Sequence, residues 1–405
     1  MSIRNSERQN AAAAPAGAPI PATPGLIRSI NDRLVLDLLL EHKSLSRGDV
    51  RRLTGVSKPT ASQSLTRLED SGHVVPAGYS DSNIGGRASL IYELNPSSGF
   101  AAAVDVTTTG VHARVANILG IIVGESRLPS TATENGPRLA LRAVETAVSA
   151  AGITADDVSS IVIAAPGSYA PEADVLRYAD HLAGWQEEGL VARLSEESGV
   201  PVYVENDVNA VAVAEHTAGA VQDADSFFLF WIDERIGGAL MIGNRLYRGA
   251  TGGAGEVAFL QLPGVAVVRN PERENHGGFE DLVGQPRIVE LAAGRSLTGD
   301  SAAQQIATAA SSTDTAAGEF LDDIAERYAT GLASVIAMLD PARIVIAGEL
   351  MRAGGQNLLT RISAKLDELA LSTPELAVGL VESFPALTGA LLVSLEHTRN
   401  EVFST

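Results

Sequence analysis

The chain has 405 residues, 45% of them hydrophobic and 20% charged, a composition ordinary for a globular protein of two or three compact units. No apolar run of about 18 residues could span a bilayer, the polar start MSIRNSERQN lacks a signal-peptide core, and zero cysteines exclude disulfides, thiolate catalysis and cysteine-based zinc sites, so a cytoplasmic protein is expected. The net charge of −19 is uneven: residues 1–95 carry 11 Lys/Arg against 9 Asp/Glu and residues 96–405 carry 19 against 40, so only the first part can tolerate a polyanion.

The stretch QNAAAAPAGAPIPATPG has prolines spaced closely enough to block a helix, and residues 1–25 are expected to form a disordered Ala/Pro-rich arm. From Ile30 the pattern changes: Ile30, Leu34 and Leu38, with Val35 and Leu39, fall on one face of a helix capped by Ser29 or Asn31. A short helix from about Arg47 to Leu53, a turn at Thr54-Gly55 and a third helix follow. That third helix has Ser57 as N-cap, Pro59 in its first turn and Gly72 at its end. Its apolar face is Ala61, Leu65 and Leu68, and Thr60, Gln63, Ser64 and Arg67 line the opposite one. HVVPAG and SLIYEL then make a hairpin around the polar tip YSDSNIGGRA.

Three helices and a hairpin over residues 26–95 are the order of a winged helix-turn-helix. Short hydrogen-bonding side chains and basic residues are the types that reach base edges and phosphates in a major groove. The candidate DNA contacts are therefore Arg47, Ser57, Lys58, Thr60, Gln63, Ser64 and Arg67. Arg87, beside Gly85 and Gly86 at the wing tip, is the candidate for a minor groove. The competing reading is a small helical packing module with a solvated face.

Beyond Asn95 the texture is α/β. AAAVDV, GVHARVAN and GIIVGES read as short strands, RLALRAVETAVSAA as a helix, SSIVIAAPG as a strand, LVARLSEESG as a helix, PVYVEN as a strand and DVNAVAVAEHTAG as a helix. A second strand-rich region starts at Phe227, helices dominate from about Gln285 to Thr330, and ARIVIAG is a late buried strand with a helix after Met351. Hairpin strands followed by strand and helix, occurring twice, predict two lobes with a cleft between them, a place that binds small molecules.

The stretches APGSYAPEADVLRYADHLAGWQEEGL, VPVYVENDVNAVAVAEHTAG, GGALMIGNRLYRGATGGAGEV and LDPARIVIAGELM resemble the ROK family of bacterial sugar kinases and sugar-responsive repressors. The resemblance runs from about Ala101 to the C-terminus, and a fused winged helix matches the repressor branch. It implies an α/β, actin-like or hexokinase-like pair of lobes over residues 96–405, breaking near residues 207–226, with the C-terminal helix returning to the first lobe and sugar and ATP meeting in the cleft. The family's kinases carry a first loop like Asp-x-Gly-Gly-Thr, where this chain has Asp105-Val106-Thr107-Thr108-Thr109, and a Gly-Thr-Gly where it has Asp233-Glu234-Arg235. The later glycines, around Ala347-Gly348-Glu349, are also reduced. Phosphoryl transfer needs phosphates positioned by such loops and Mg²⁺, so no catalytic residue and no cofactor is expected.

On the sugar side, Asn206 and Asp207 match the family pair whose Asp acts in kinases as general base. Glu256 matches the glutamate of Glu-x-Gly-His, and Glu280 the glutamate after the cysteine motif. Carboxylates and an amide suit a polyol, whose hydroxyls must be re-satisfied on leaving water. Asn206 and Asp207 also fit a capping pair for the following helix, and both roles can hold together. The family histidine falls at Phe259 and its glycine at Ala258; the zinc cysteines are absent, with Gly278 at one of their positions, so no metal is expected. Phe259 either stacks on a sugar face or closes the pocket. The leading expectation is a DNA-binding repressor of carbohydrate genes with a degenerate kinase-like sensor, a sugar or sugar-derivative effector, an inverted-repeat operator, a homodimeric or larger assembly and no membrane association. An active ATP-dependent sugar kinase and a ligand-independent DNA-binding regulator are the alternatives.

Overall fold

The computed structural model of the chain describes residues 23–79, 88–130, 135–179, 182–269 and 277–404. Residues 1–22 of the expected arm and the wing tip with Arg87 lie outside them. The chain divides into two compact units: residues to Asn95 together with the chain end from Phe403, and Pro96–Val402.

In the first unit, α1 (Pro24–His42) begins a turn and a half earlier than its apolar periodicity suggested, because Thr23 accepts the Leu26 N–H at 3.2 Å and caps it there. The buried face is also rotated from the expected one. Asp32, Val35, Leu36 and Leu39 are buried, whereas Ile30 is 57% and Leu34 39% exposed. A short strand β1 (Ser44–Ser46), not foreseen, leads into α2 (Arg47–Thr54). Ser46 and Asp49 close a capping box there, Asp49 N–H to Ser46 Oγ at 3.2 Å and Ser46 N–H to the Asp49 carboxylate at 3.1 Å. Gly55, at φ 73°, ends α2 in the left-handed conformation that glycine adopts without penalty. Ser57 then caps α3 (Lys58–Asp70) by accepting the Thr60 N–H at 3.3 Å. β2 (Val74–Tyr79) and β3 (Leu90–Leu94) follow, in an antiparallel sheet of order β1-β3-β2. The winged helix-turn-helix order is therefore present, with Leu36, Leu39, Val50, Leu65 and Tyr92 at its core.

The second unit holds two five-stranded sheets. In the first lobe β4 (Phe100–Val106), β5 (Gly110–Asn117) and β6 (Ile122–Pro129) form an antiparallel meander. After α4 (Gly136–Ala151), β7 (Val158–Ala165) returns parallel to β4. A small hairpin of β8 (Ser168–Ala170) and β9 (Val175–Arg177), not foreseen, precedes α5 (Leu190–Ser198) and β10 (Val202–Asn206), which pairs parallel with β7. α6 (Asp207–Ala218) leads to the second lobe, where β11 (Phe227–Ile232), β12 (Ile236–Ile242) and β13 (Arg245–Leu246) are antiparallel.

The second lobe continues with α7 (Gly278–Val283), α8 (Gln285–Ala293), α9 (Ala302–Ser311) and α10 (Thr315–Leu339). β14 (Arg343–Ala347) lies parallel to β11, α11 (Glu349–Leu369) follows, and β15 (Glu375–Val378) completes the sheet.

The last helix, α12 (Pro385–Val402), packs Leu387, Ala390, Leu391 and Leu395 against Ala101, Ala103 and Val162 of the first lobe. Buried Ser160 of β7 bonds Ser394 Oγ at 2.8 Å and Thr398 Oγ1 at 3.1 Å. Gly389 lets α12 approach α6: a Cβ there would stand 1.7 Å from the Ala210 carbonyl oxygen. α6 also buries Val208, Val211 and Ala212 against Phe227, Leu229 and Met241 of the second sheet. The helix that opens at Asp207 is thus packed on both lobes.

Candidate functional site

In the first unit, Ser57, Lys58 and Gln63 of α3 and its cap are exposed, and Thr60 is half-buried with its hydroxyl 2.8 Å from Ser57 Oγ. Two expected contacts face elsewhere. Ser64 is 1% exposed and its hydroxyl donates to Asp32, so it cannot enter a groove. Arg67 donates to Asp32 from Nε at 2.9 Å and from Nη2 at 2.7 Å, which raises its pKa. Asp32 on α1, 9% exposed, needs these donors because a buried carboxylate without them is costly. Both residues therefore fasten α3 to α1. Arg47 is exposed at the start of α2, bonded to Tyr92 Oη at 2.6 Å and lying over its ring.

In the second unit a cavity of about 810 Å³ lies between the lobes. Its floor is built where β4, β7 and β10 end, at Asp105, Gly167 and Asn206, the usual ligand position at the carboxyl edge of parallel strands. Asn206 is the N-cap of α6: its Oδ1 accepts the Asn209 N–H at 2.9 Å, and its Nδ2 donates to the Gly167 carbonyl at 2.9 Å and to Asp207 Oδ1 at 3.1 Å. The capping role is real, and through it Asn206 orients Asp207, which also accepts the Val208 N–H at 2.8 Å.

Asp105, Asp207 and Glu256 line the same cavity, and the charge of Asp207 reaches both of the others. Burial pushes Asp105 up to about 7, and the charge of Asp207 adds to it. Burial likewise raises Glu256 to about 7, again reinforced by Asp207 and opposed by Arg235. Asp207 is raised to about 6 by burial, with backbone hydrogen bonds pulling the other way. Glu256 arrives on the loop after β13, where Gly255, at φ 93°, passes so close to Gly238 that a Cβ would meet its carbonyl oxygen at 2.2 Å. Glu280, expected at the ligand, does not line this cavity; its carboxylate accepts the Ile236 N–H at 3.0 Å and holds the start of β12 from behind.

The cavity is also lined by the turn Asp233-Glu234-Arg235, with Arg352, Glu382 and Phe384, and the charges of Asp233 and Arg235 reach Asp207. Burial raises Asp233, and its carboxylate accepts the backbone N–H of Glu349 at the start of α11. Thr107, also in the lining, closes the β4–β5 turn on itself, Oγ1 donating to the Gly110 carbonyl at 3.0 Å.

A family model described as the ROK family matches residues 101–388, well over half of the chain. The chain belongs to the ROK family. A MarR family model matches residues 28–78, over the winged helix of this ROK protein. It is 27% identical over 347 residues to a putative xylose repressor of Caldicellulosiruptor sp. (strain Rt8B.4), covering 80% of this chain and 84% of that one. It is 22% identical over 358 residues to the DNA-binding transcriptional dual regulator NagC of Escherichia coli (strain K12), covering 85% and 86%. Among solved structures, a ROK family transcriptional regulator described as a homolog of the E. coli MLC protein matches with a TM-score of 0.74 at 19% identity, over 93% of this chain and 99% of that one, and shares the fold.

Sequence reasoning about this ROK chain did not single out Tyr178. The residue follows the β8–β9 hairpin, lines the cavity and takes the left-handed φ of 60°. No periodicity marks a loop residue of this kind; only the folded hairpin places it beside Phe259, ring centroids 5.4 Å apart.

Proposed function

We propose that this protein is a sugar-responsive transcriptional repressor in which α3 reads an operator and the cleft binds a sugar whose occupancy sets operator affinity. The observation that carries the reading is the union, in one chain, of a helix-turn-helix unit and a ROK cleft that keeps Asn206, Asp207 and Glu256 together and is also lined by the turn Asp233-Glu234-Arg235. Relatives named xylose repressor and NagC support it. Carboxylates raised by burial are short of hydrogen-bond donors, and the hydroxyls of a sugar supply them.

A kinase would present glycine loops to the β- and γ-phosphates. The N-terminus of a helix is a ready anion site, and at α11 the Asp233 carboxylate already occupies it. ATP would bring its phosphates against charge of their own sign. On this reading the protein is a regulator without catalytic residues, cofactor or metal. It works in the cytoplasm as a homodimer or larger assembly on an inverted-repeat operator, because two-fold symmetry in a dimer asks for two-fold symmetry in its site.

Residues 26–95 carry the DNA contacts in this proposal, through Arg47, Ser57, Lys58, Thr60 and Gln63, with Arg87 on the wing. Selection of operator DNA from a random pool by the full chain tests it. An inverted repeat, bound by the wild type and lost with Gln63→Ala and Lys58→Ala together, is expected; binding that survives the double substitution with its sequence preference intact overturns it.

A further inference from the structure

Tyr178 belongs to the first lobe, between the buried residues Leu176 and Ala179, whereas Phe259 packs against the core of the second. Their rings meet at 46°, and both residues are half-buried, leaving ring surface toward the cavity that they line. The cavity remains open at about 810 Å³ beside them, so Phe259 does not close it. The lining brings two kinds of surface together: the carboxylates of Asp105, Asp207 and Glu256, and aromatic rings, among which Tyr178 and Phe259 pack against each other while Trp231 and Phe384 also line the cavity. Over the whole lining six carboxylates face two guanidiniums, Arg235 and Arg352.

A pyranose carries the same two kinds of surface. Its hydroxyls radiate around the ring edge, while the axial C–H bonds of an all-equatorial chair form an apolar face with slight positive charge, which suits the negative face of an aromatic ring. An attached phosphate would enter a cavity with an excess of carboxylates and lose its hydration without a compensating partner.

Resting on the proposed sugar-sensing role, we infer that the packed pair Tyr178 and Phe259 forms an apolar stacking surface of the effector site and that the effector is an unphosphorylated aldopyranose stacked on it. The two residues are specificity determinants that bridge the lobes at the ligand. Phe259 stands where the family's histidine would offer a polar contact, so the wall exchanges one hydrogen bond for ring-face contact.

Calorimetric titration of the full chain tests this with D-xylose and D-glucose, their alditols xylitol and glucitol, and glucose 6-phosphate. The alditols keep the hydroxyls but have no fixed C–H face. A free aldose is expected to bind at least about tenfold more tightly than its alditol, and the phosphate more weakly than glucose. Tyr178→Ala and Phe259→Ala should each weaken the aldose by about tenfold and bring its ratio to the alditol toward one, whereas Tyr178→Phe retains both. Operator binding without sugar should be unchanged in all three, which separates loss of the wall from loss of the fold. Variants that keep the wild-type aldose-to-alditol ratio, or tighter binding of the phosphate than of glucose, overturn the inference while leaving a sugar-sensing cleft in place. If neither free nor phosphorylated sugar binds the wild type, the inference falls together with the sensing role.

Discussion

Arg67 on α3 grips Asp32 on α1 through two hydrogen bonds, of 2.9 and 2.7 Å, so this side chain of α3 is spent on holding the helix in place. Arg67→Ala leaves Asp32 buried without its cation. The expected cost is ~1–3 kcal/mol, below the loss for a fully buried pair because screening reaches a partly exposed guanidinium, and Arg67 is 37% exposed. Gln63→Ala, at an exposed site, should leave stability unchanged and relax base preference. Thermal unfolding beside operator titration checks both: equal unfolding midpoints for Arg67→Ala and the wild type would contradict this assignment.

The same pair explains why α1 was misread from its apolar spacing. A helical wheel treats Asp32 as solvent-facing, but its partners Ser64 and Arg67 lie 32 and 35 positions away, and no local pattern announces such a pairing. By contrast β4, β7, β10 and α6 were legible because buried parallel strands and capped helices write continuous apolar runs and caps into the chain. At the cleft, Asn206, Asp207 and Glu256 could be named through their match to the motifs of the ROK family, and the fold sets them at a strand end and beside a glycine turn. Glu280 was named as a ligand by a motif match and does not line the cavity, since a motif cannot distinguish a side chain that meets a ligand from one that holds the backbone beside it.

ATP should neither bind measurably nor be consumed. At an effective dielectric of about 20, each like-charge contact near 4 Å costs on the order of 4 kcal/mol, and the cavity lining presents both Asp233 and Glu234. A coupled assay for ADP release, run with a sugar panel, should read background. Sugar-dependent release that disappears in Asp207→Asn would restore the kinase reading.

Asp105 and Glu256 are each raised to about 7, and Asp207 to about 6, chiefly by burial. A carboxyl whose folded pKa exceeds its unfolded value binds protons more tightly when folded, so its contribution to stability is full below about pH 4 and is lost as pH rises through the folded pKa. Asp105→Asn removes one such group. The variant should gain on the wild type between about pH 4 and 7 and keep a Tm advantage of a few degrees at pH 8, an advantage that shrinks toward pH 4. A Tm difference independent of pH over this range would show that Asp105 is not held protonated by the fold.

Cleft and operator are linked in this account by differential binding: a sugar that touches both lobes favours one lobe arrangement, and α6, packed on both sheets, starts at the residue that holds it. Such couplings are typically ~1–3 kcal/mol, or about 5- to 150-fold in affinity, and act equally in both directions. The direct measurement is the affinity of the full chain for its selected operator with and without saturating free aldose, for the wild type and for Asp207→Ala. Sugar is expected to weaken the wild type within that range, while Asp207→Ala binds the operator normally and ignores the sugar. Operator affinity indifferent to every sugar tested, or an Asp207→Ala response equal to the wild type's, would contradict it.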